Sequence, residues 1–226
     1  MKRANNIDRA YKWLQTHYWT KLGVDGYTPL FKAAERGGLL KVPNHILTQE
    51  NITRMDTGSY YSPLHYAAER GHLDQLPKEL ITRQTLLIKN GHGETALHFA
   101  AGHGNLNQLP QELLTEDIFS VQAENKSTPL HWAAGSNFIS HVPKNILTDR
   151  NLLIQMNNTL DDTTDEQTVI GLIRTQGYLD DLLGLELGEE CQRIAGKEWT
   201  LKNNSILAAR KTLSTESATA DEMDLF

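Results

Sequence analysis

Apolar and polar residues recur along most of this chain with a fixed period. Ten-residue segments with Leu at the third position and Ala at the sixth and seventh begin at Thr28, Ser62, Thr95 and Thr128, so successive starts lie 34, 33 and 33 residues apart. Apolar residues at i, i+3 and i+4 share one face of a helix, and a Thr or Ser before Pro or Ala supplies a cap at its start. Each segment therefore predicts a helix that begins directly after its Thr or Ser.

A second set of markers follows every one of these helices. An apolar residue and a proline come first, at Val42-Pro43, Leu76-Pro77, Leu109-Pro110 and Val142-Pro143, and a threonine comes next, at Thr48, Thr82, Thr115 and Thr148. Proline interrupts a helix, whereas threonine caps the start of a new one. The second half of each unit is therefore expected to be divided into short helical turns.

The period and the phrase Thr-Pro-Leu-His, which stands complete at residues 128–131, resemble the ankyrin repeat. The resemblance covers about residues 24–158, and a fainter copy, TVIGLIRTQGYLDDL from Thr168, extends it to about residue 185 as a degenerate last repeat. It implies an all-α fold, an ankyrin-repeat solenoid of stacked helix-turn-helix units with helical caps at both ends. A degenerate last unit is expected because one side of it lacks a neighbouring repeat.

Four parts of the chain follow from this interpretation. They are an N-terminal capping helix (1–24), four ankyrin repeats (25–158), a degenerate repeat with a helical C-terminal cap (159–213), and a flexible acidic tail (214–226). The apolar stripe Ile7, Tyr11, Leu14 and Tyr18 predicts an amphipathic first helix, with Trp13 and Trp19 expected to pack over the first repeat. In the C-terminal cap we expect a capping box of Thr164 and Gln167 before the helix at 169–174, and further helices at 189–199 and 205–213.

Charge is distributed unevenly along the chain, whose net charge is −6. Residues 1–158 carry 16 Lys and Arg against 14 Asp and Glu, whereas residues 159–226 carry 6 against 14. A nearly neutral solenoid without a basic stripe is a poor match to direct nucleic-acid binding, which depends on neutralised phosphates.

Basic residues near Met1 are not followed by an apolar stretch, so neither a secretory signal nor a membrane span is expected. The single cysteine, Cys191, suits a reducing compartment and is expected to fill a helix interior; we expect a cytoplasmic location.

Three histidines at equivalent positions, His65, His98 and His131, invite a metal site. Equivalent side chains of stacked repeats lie about 10 Å apart, too far for one zinc ion. Similarity to ankyrin repeats implies instead that each histidine ties its helix start to the backbone of a neighbouring loop. The chain has no phosphate-binding glycine loop with a lysine and no nucleophile elbow, so we expect no enzyme activity, no cofactor and no metal.

The resemblance also implies where a protein partner would bind, because ankyrin proteins contact partners through residues just before the Thr-Pro phrase and just after the Ala-Ala pair. On this chain those residues are Asp25, Tyr27, Glu35, Arg36, Tyr60, Tyr61, Glu69, Arg70, His92, Glu94, His103, Lys126, Ser127 and Ser136. Tyr and Arg are enriched among the residues that dominate binding energy. The prediction is a non-enzymatic adaptor or inhibitor that binds a protein on a concave surface.

The last five residues offer a second candidate. Glu222, Met223, Asp224, Leu225 and Phe226 resemble the peptides with which bacterial replication and repair proteins dock onto the DNA sliding clamp, although Glu222 stands where those peptides have Gln. The same tail also resembles C-terminal signals of bacterial secretion effectors, which would place the protein in a host cytosol. A third alternative is that the acidic final third mimics nucleic acid and blocks a DNA-binding protein.

Overall fold

The protein is built from stacked helices. The computed structural model describes the backbone of residues 2–58, 60–156 and 165–223, and the side chains of residues 8–58, 60–156 and 165–211. In chain order the α-helices are α1 (Lys2–Thr20), α2 (Pro29–Arg36), α3 (Gln49–Thr53), α4 (Pro63–Arg70), α5 (Arg83–Leu86), α6 (Ala96–Gly102), α7 (Glu116–Phe119), α8 (Pro129–Gly135), α9 (Asp149–Leu152), α10 (Val169–Gln176), α11 (Glu189–Ala195) and α12 (Lys197–Met223). Short 3-10 helices occupy Leu39–Lys41, Leu73–Gln75, Lys78–Leu80, Leu106–Gln108, Gln111–Leu113, Ile139–His141, Lys144–Ile146, Asp165–Gln167 and Leu179–Leu182.

Five inner helices, α2, α4, α6, α8 and α10, form the stack. Each packs against the next one in the series, and the Leu and Ala residues of the recurring segments are buried between them. The small Ala pairs let neighbouring helices approach closely. These contacts confirm the predicted all-α solenoid over the described residues, and α10 confirms the degenerate fifth unit.

The inner helices begin where the sequence predicts. Thr28, Ser62, Thr95, Thr128 and Thr168 are their N-caps, all with extended backbone. The cap of α10 is therefore Thr168, whose Oγ1 accepts from the N–H of Gly171 at 3.0 Å, and not the expected Thr164, which lies outside the described residues. A threonine directly before the first helical residue is closer to the free N–H groups of the first turn than one four residues earlier.

The second half of each complete repeat is divided as expected. In the second repeat, for example, the turn at Leu73–Gln75 is separated by Pro77 from the turn at Lys78–Leu80, and Thr82 then caps α5. The same division recurs at Pro110 and Pro143. One continuous outer helix is thus replaced by three short turns in these units.

The three recurring histidines bond to the backbone of the loops that follow their helices, as the resemblance implies. In the second repeat, His65 Nε2 lies 3.2 Å from the carbonyl oxygen of Ile88, and Nδ1 lies 3.2 Å from the backbone nitrogen of Ser62. Because a carbonyl only accepts, Nε2 carries the proton and Nδ1 accepts from the N–H of Ser62. His98 and His131 make the equivalent bonds to Ser127 and Ile154. Burial lowers the pKa of all three imidazoles to about 4, so they are neutral at physiological pH.

A second set of cross-repeat bonds lies at the other end of the inner helices. Gln108 accepts from the N–H of Leu73 at 2.9 Å and donates to the carbonyl of Gly71 at 2.8 Å. Gln75 and His141 stand at the equivalent positions of their repeats and make similar bonds. Gln75 accepts from the N–H of Leu39 at 3.2 Å, and His141 Nδ1 lies 2.9 Å from the carbonyl oxygen of Gly104. Every junction between complete repeats is therefore bonded at this end of the inner helices.

The N-terminal helix only partly fits its expected role. Trp19 is half-buried and packs against the core, which confirms the prediction for that residue. Trp13 is 61% exposed, so its expected packing over the first repeat is wrong. Helix α1 contacts α2, but the described stripe residues Tyr11, Leu14 and Tyr18 are 58–63% exposed.

The C-terminal cap consists of α11 and α12. The expected helix boundary near residues 199–205 is wrong: the chain turns at Gly196, and one helix continues from Lys197 to Met223. Asn203 stays inside this helix because its side chain is buried, donating to the carbonyl of Leu185 at 2.9 Å and accepting from the N–H of Gly184 at 2.6 Å. Cys191 is buried as expected, and burial raises the pKa of its thiol to about 12. The backbone is helical beyond Leu213, where a tail was expected to start; its flexibility stays a prediction.

Candidate functional site

Each of the inner helices α2, α4, α6 and α8 is preceded by a tight turn that carries predicted partner-binding residues. The turns are closed by backbone bonds of 2.8 Å, from Gly23 to Tyr27, Asp56 to Tyr61, Asn90 to Glu94 and Ala123 to Ser127. In every turn the residue two places before the cap has a positive φ: 78° at Gly26, 57° at Tyr60, 75° at Gly93 and 59° at Lys126. Equivalent residues of the four turns therefore have the same backbone geometry.

Two of these positions carry side chains that the geometry disfavours. Glycine adopts a positive φ without steric cost, whereas a bulky residue does so at a cost of about 1–2 kcal/mol. Tyr60 and Lys126 nevertheless stand there, and both are exposed. A strained residue that makes no contribution to the core points to a role at the surface.

A row of aromatic rings runs along the inner helices from the first repeat to the fourth, and we call it the aromatic ladder. Tyr66 meets Tyr27, Phe31 and Tyr61 with ring centroids 6.2, 6.0 and 5.6 Å apart. Beyond Tyr61, the ring of Phe99 lies 5.1 Å from that of Tyr61 and 5.1 Å from that of Trp132. All five contacts are edge-on, the favoured arrangement for aromatic pairs. The aromatic ladder consists of Tyr27, Phe31, Tyr61, Tyr66, Phe99 and Trp132.

The aromatic ladder offers both support and contact area. Phe31 and Phe99 are buried, whereas Tyr27, Tyr61, Tyr66 and Trp132 are half-buried. Trp132 is held in place by a 3.2 Å bond from its Nε1 to Oγ of Ser127. Rings fixed on one side and open on the other provide contact area with little loss of side-chain entropy on binding.

Sequence reasoning missed Tyr66 and Trp132. Both stand at the fifth position of the recurring segment, which holds Lys32, Tyr66, Phe99, Trp132 and Leu172 in the five units. An aromatic residue at three of these five positions was a signal available in the sequence. It was hidden because the same helix face also carries the buried Leu and Ala residues.

A cleft of about 210 Å³ opens at the first-repeat end of the aromatic ladder. Asp25, Tyr27, Glu35 and Arg36, four of the predicted residues, line it together with Phe31, Lys32 and Tyr66. Lys32 Nζ lies 2.7 Å from Asp25 Oδ2, and this bond lowers the pKa of the Asp25 carboxyl. The cleft therefore combines aromatic walls with both signs of charge.

Carboxylates surround the middle of the aromatic ladder. The pKa of the Tyr61 hydroxyl is raised, first by partial burial and then by the negative charges of Glu94, Glu69 and Asp56. Glu69 is paired with Arg70 at 3.5 Å, and Glu94 accepts from Asn90 at 2.8 Å. Tyr61 is thus kept protonated, as a hydrogen-bond donor.

Most of the predicted partner-binding residues are at least partly accessible to solvent. Asp25, Arg36, Tyr60, Arg70, His92, His103, Lys126 and Ser136 are exposed, and Tyr27, Glu35, Tyr61, Glu69 and Glu94 are half-buried. Ser127 is a correction: it is 3% exposed, and its carbonyl and hydroxyl oxygens accept bonds from His98 and Trp132. These bonds to His98 and Trp132 hold it inside the stack, where it supports the aromatic ladder.

The predicted tail site lies largely beyond the described residues. Glu222 and Met223 end α12, without described side chains, and Asp224, Leu225 and Phe226 lie outside the described residues. In the described part of the chain, no group of three or more His, Cys, Asp or Glu side chains is placed to hold a metal ion. The helices described there also include none with the length and apolar character needed to cross a membrane.

Comparison with known proteins identifies the stacked units. The model of a family described as ankyrin repeats (3 copies) matches residues 64–143, a range that runs from α4 through the turns that follow α8. A search of curated proteins gave no match.

Proposed function

We propose that this ankyrin-repeat protein captures a protein partner on the surface formed by its turn tips and the aromatic ladder, and acts as an adaptor or inhibitor without catalysing a reaction. Ankyrin repeats indicate a protein–protein interaction module. The proposal also specifies the binding surface. It consists of the aromatic ladder and the exposed residues Tyr60, Arg70 and Lys126, and we call it the ladder surface.

One observation carries this proposal: the half-buried rings of the aromatic ladder lie beside strained, exposed turn residues. Aromatic side chains and arginine dominate the binding energy of protein interfaces. Tyr60 and Lys126 hold positions where Gly26 and Gly93 satisfy the same backbone in the neighbouring turns. Side chains kept at a cost in stability are expected where another molecule contacts them.

The proposed mechanism is binding to a preformed surface. His65, His98 and His131 bond the starts of their helices to the following loops. At the other end of the inner helices, each repeat bonds to the one before it through Gln75, Gln108 and His141. A surface that is rigid before binding loses little conformational entropy when the partner arrives. The binding energy then goes into contact with the partner.

The test compares partner capture by a ladder-surface variant and by a matched control. The ladder-surface variant combines Tyr60→Gly, Arg70→Ala and Lys126→Gly in the full-length chain. The glycines relieve the steric cost of the positive φ, and alanine keeps the helical conformation at position 70. Lys78→Ala, Glu79→Ala and Glu112→Ala, on exposed residues of the segmented outer turns, form the control. Quantitative mass spectrometry of captured proteins identifies partners retained by the control and lost by the ladder-surface variant, and calorimetry with a purified partner then measures affinity.

We expect the ladder-surface variant to lose at least about tenfold in affinity, since removal of a central contact residue costs more than 1 kcal/mol. Circular dichroism should show the same helix content and a melting temperature no lower than that of the parent. Equal affinities of parent and ladder-surface variant for every captured partner would refute the proposed surface.

The alternatives for the C-terminal third stay predictions. The sliding clamp gains no support from the comparisons, and an export signal in the tail, a host-cell location and a cytoplasmic location are all untested. Mimicry of nucleic acid requires uncompensated acidic groups. In the described part of this region, however, Lys202 pairs with Asp180, and Arg193 pairs with both Asp165 and Glu190, which favours the ladder surface over the acidic cap.

A further inference from the structure

At the N-terminal edge of the stack, the first repeat carries a residue at the position that bonds later repeats to the repeat before them. Gln75, Gln108 and His141 stand at the same place in successive repeats, and each bonds to the backbone of the repeat before it. Lys41 holds this position in the first repeat. No repeat precedes it in the described chain, and the Lys41 side chain is exposed.

A groove of about 450 Å³ lies beside Lys41, between α1 and α2. Tyr18 and Trp19 form one wall, and Arg36 and Lys41 place positive charge around the other, together with Lys32, which is paired with Asp25. None of the residues that line the groove is acidic. An aromatic wall with a cationic rim suits an apolar segment that carries carboxylates.

The surface next to this groove is unusually apolar. Of the nine large hydrophobic residues that are exposed among the described side chains, six lie between Tyr11 and Val24, and a seventh, Leu40, is adjacent to Lys41. Such a concentration of exposed apolar side chains in one segment is typical of an interaction site. Lys12 and Lys21 lie on the same segment and are exposed.

The chain contains a segment with the complementary chemistry. Residues 212–226 hold four acidic residues and no lysine or arginine, and end in Met223-Asp224-Leu225-Phe226. Helix α12 runs to Met223 in this segment, so its last carbonyl groups lie there. At the inner junctions, Gln108 and His141 lie against the carbonyls of Gly71 and Gly104, just beyond an inner helix. A lysine at that position is suited to a helix C-terminus with carboxylates around it.

With α12 helical to Met223, the segment falls short of the groove of its own chain. Helix α12 is tied to the C-terminal cap as far as Arg210, which donates to the carbonyl of Gly184 at 3.0 Å. From there, 13 helical residues and three extended ones span about 30 Å. The four steps from α10 back to α2 span about 32–40 Å at the usual interhelix distances, and the groove lies beyond α2. The occupant that fits a helical α12 is therefore the segment of another copy.

We propose that the acidic C-terminal segment of a second copy, residues 216–226, docks in the groove between α1 and α2, so that copies associate head to tail. Leu225 and Phe226 cover the aromatic wall, and the acidic residues lie against Lys41 and Arg36. Because the two surfaces differ, the contact is heterologous and can extend to further copies. The groove shares Lys32 and Arg36 with the cleft at the first-repeat end of the aromatic ladder, but none of its lining residues belongs to the ladder surface. The proposal does not depend on the proposed function.

The test uses charge reversal in the full-length chain. Lys41→Glu reverses the charge of an exposed side chain of the groove. A second variant, which combines Asp221→Lys, Glu222→Lys and Asp224→Lys, reverses the charge of the tail. Lys144→Glu, at an exposed lysine of the fourth repeat, is the matched control. Analytical ultracentrifugation of the purified chains measures the average mass as a function of concentration, at low and high salt.

We expect the parent and Lys144→Glu to form larger species as concentration rises, and less so at high salt, because exposed ion pairs are screened. The groove variant and the tail variant should each associate at least about fivefold more weakly, which corresponds to the loss of an ion pair worth about 1 kcal/mol. Mixing the two variants should restore association, because each reversed surface then meets a complementary one. The proposal would be overturned if the parent were monomeric at every concentration, or if the groove variant associated like the parent. Capture of only an unrelated protein in the groove would also overturn it.

Discussion

The ring of Tyr60 lies directly over Gly91 of the next turn, so that a Cβ atom built on Gly91 would stand 2.8 Å from Cδ2 and 3.1 Å from Cβ of Tyr60. The two turns of the ladder surface are thus fitted to each other. A glycine at position 91 lets a strained tyrosine settle against the neighbouring turn while 56% of that tyrosine remains exposed. The orientation of Tyr60 is therefore set by the turn that follows it.

Substitution of Gly91 by alanine is predicted to test this fit. Gly91→Ala alone should lower the free energy of unfolding by about 1 kcal/mol, because overpacking displaces the ring and the backbone beneath it. In a Tyr60→Gly background the same substitution should cost much less, since the clashing atoms are gone. Chemical denaturation of the four proteins of this double-mutant cycle measures the coupling, and equal costs of Gly91→Ala in both backgrounds would contradict the proposed contact.

Stability is predicted to fall as the solution becomes acidic. The folded-state pKa of His65, His98 and His131 is about 4, below the unfolded value of about 6.5. The unfolded chain therefore binds more protons than the folded one between pH 6.5 and 4, and each histidine lowers the free energy of unfolding by about 1.4 kcal/mol per pH unit there. Above pH 6.5 these histidines add no pH dependence.

Denaturation curves at pH 7.5 and 5.5 measure this effect. His98→Gln is the informative variant because glutamine does not titrate: it should be less stable than the parent at pH 7.5 and should lose about a third of the histidine contribution to the pH slope. An unchanged slope in His98→Gln would show that other groups cause the acid sensitivity.

The end of α8 offers a route to higher stability. Four of the five inner helices are followed by a glycine in the left-handed region, with φ between 73° and 83° at Gly37, Gly71, Gly104 and Gly177, whereas Asn137 has φ 63° at the equivalent place. Asn137→Gly should raise the free energy of unfolding by up to about 1 kcal/mol, because glycine adopts this conformation without steric cost. The neighbouring Ser136 has φ −108°, so Ser136→Gly should lower stability through the flexibility that it adds to the unfolded chain. Urea denaturation separates the two, and a gain from both or from neither would contradict the backbone explanation.

Gln108, which bonds across a repeat junction, is predicted to contribute more to the free energy of unfolding than a typical surface residue. Gln108→Ala leaves the N–H of Leu73 and the carbonyl of Gly71 without their partner, at a cost of about 2 kcal/mol. Gln108→Glu should be intermediate, since a carboxylate accepts from Leu73 and cannot donate to Gly71. Asn107→Ala, at the exposed neighbour, is the control and should change stability by less than about 0.5 kcal/mol. Equal effects of Gln108→Ala and Asn107→Ala in thermal melts would refute the cross-repeat role of Gln108.

Local chemistry made much of the candidate site predictable. Tyr27, Tyr61 and Glu94 each stand directly before a cap residue, and the repeated turn places them along one side: Tyr27 and Tyr61 both contact Tyr66, and the charge of Glu94 acts on Tyr61. Ser127 occupies the same register and is buried. Its environment depends on Trp132, whose larger ring turns the serine hydroxyl inward, and no rule of spacing contains that information.

The period of the sequence determined the repeats, their helix starts and the divided outer turns, because caps, prolines and the spacing of apolar residues act within a few residues of the chain. Only the tertiary structure decided which apolar side chains are covered. Tyr11 and Leu14 follow a helical stripe as regular as that of a buried helix, yet they meet solvent because no element of the described chain lies over them. Asn203 remains inside a helix because distant backbone groups of Leu185 and Gly184 bind its side chain. Burial depends on neighbours that are remote in sequence, whereas a helix start depends on the residues beside it.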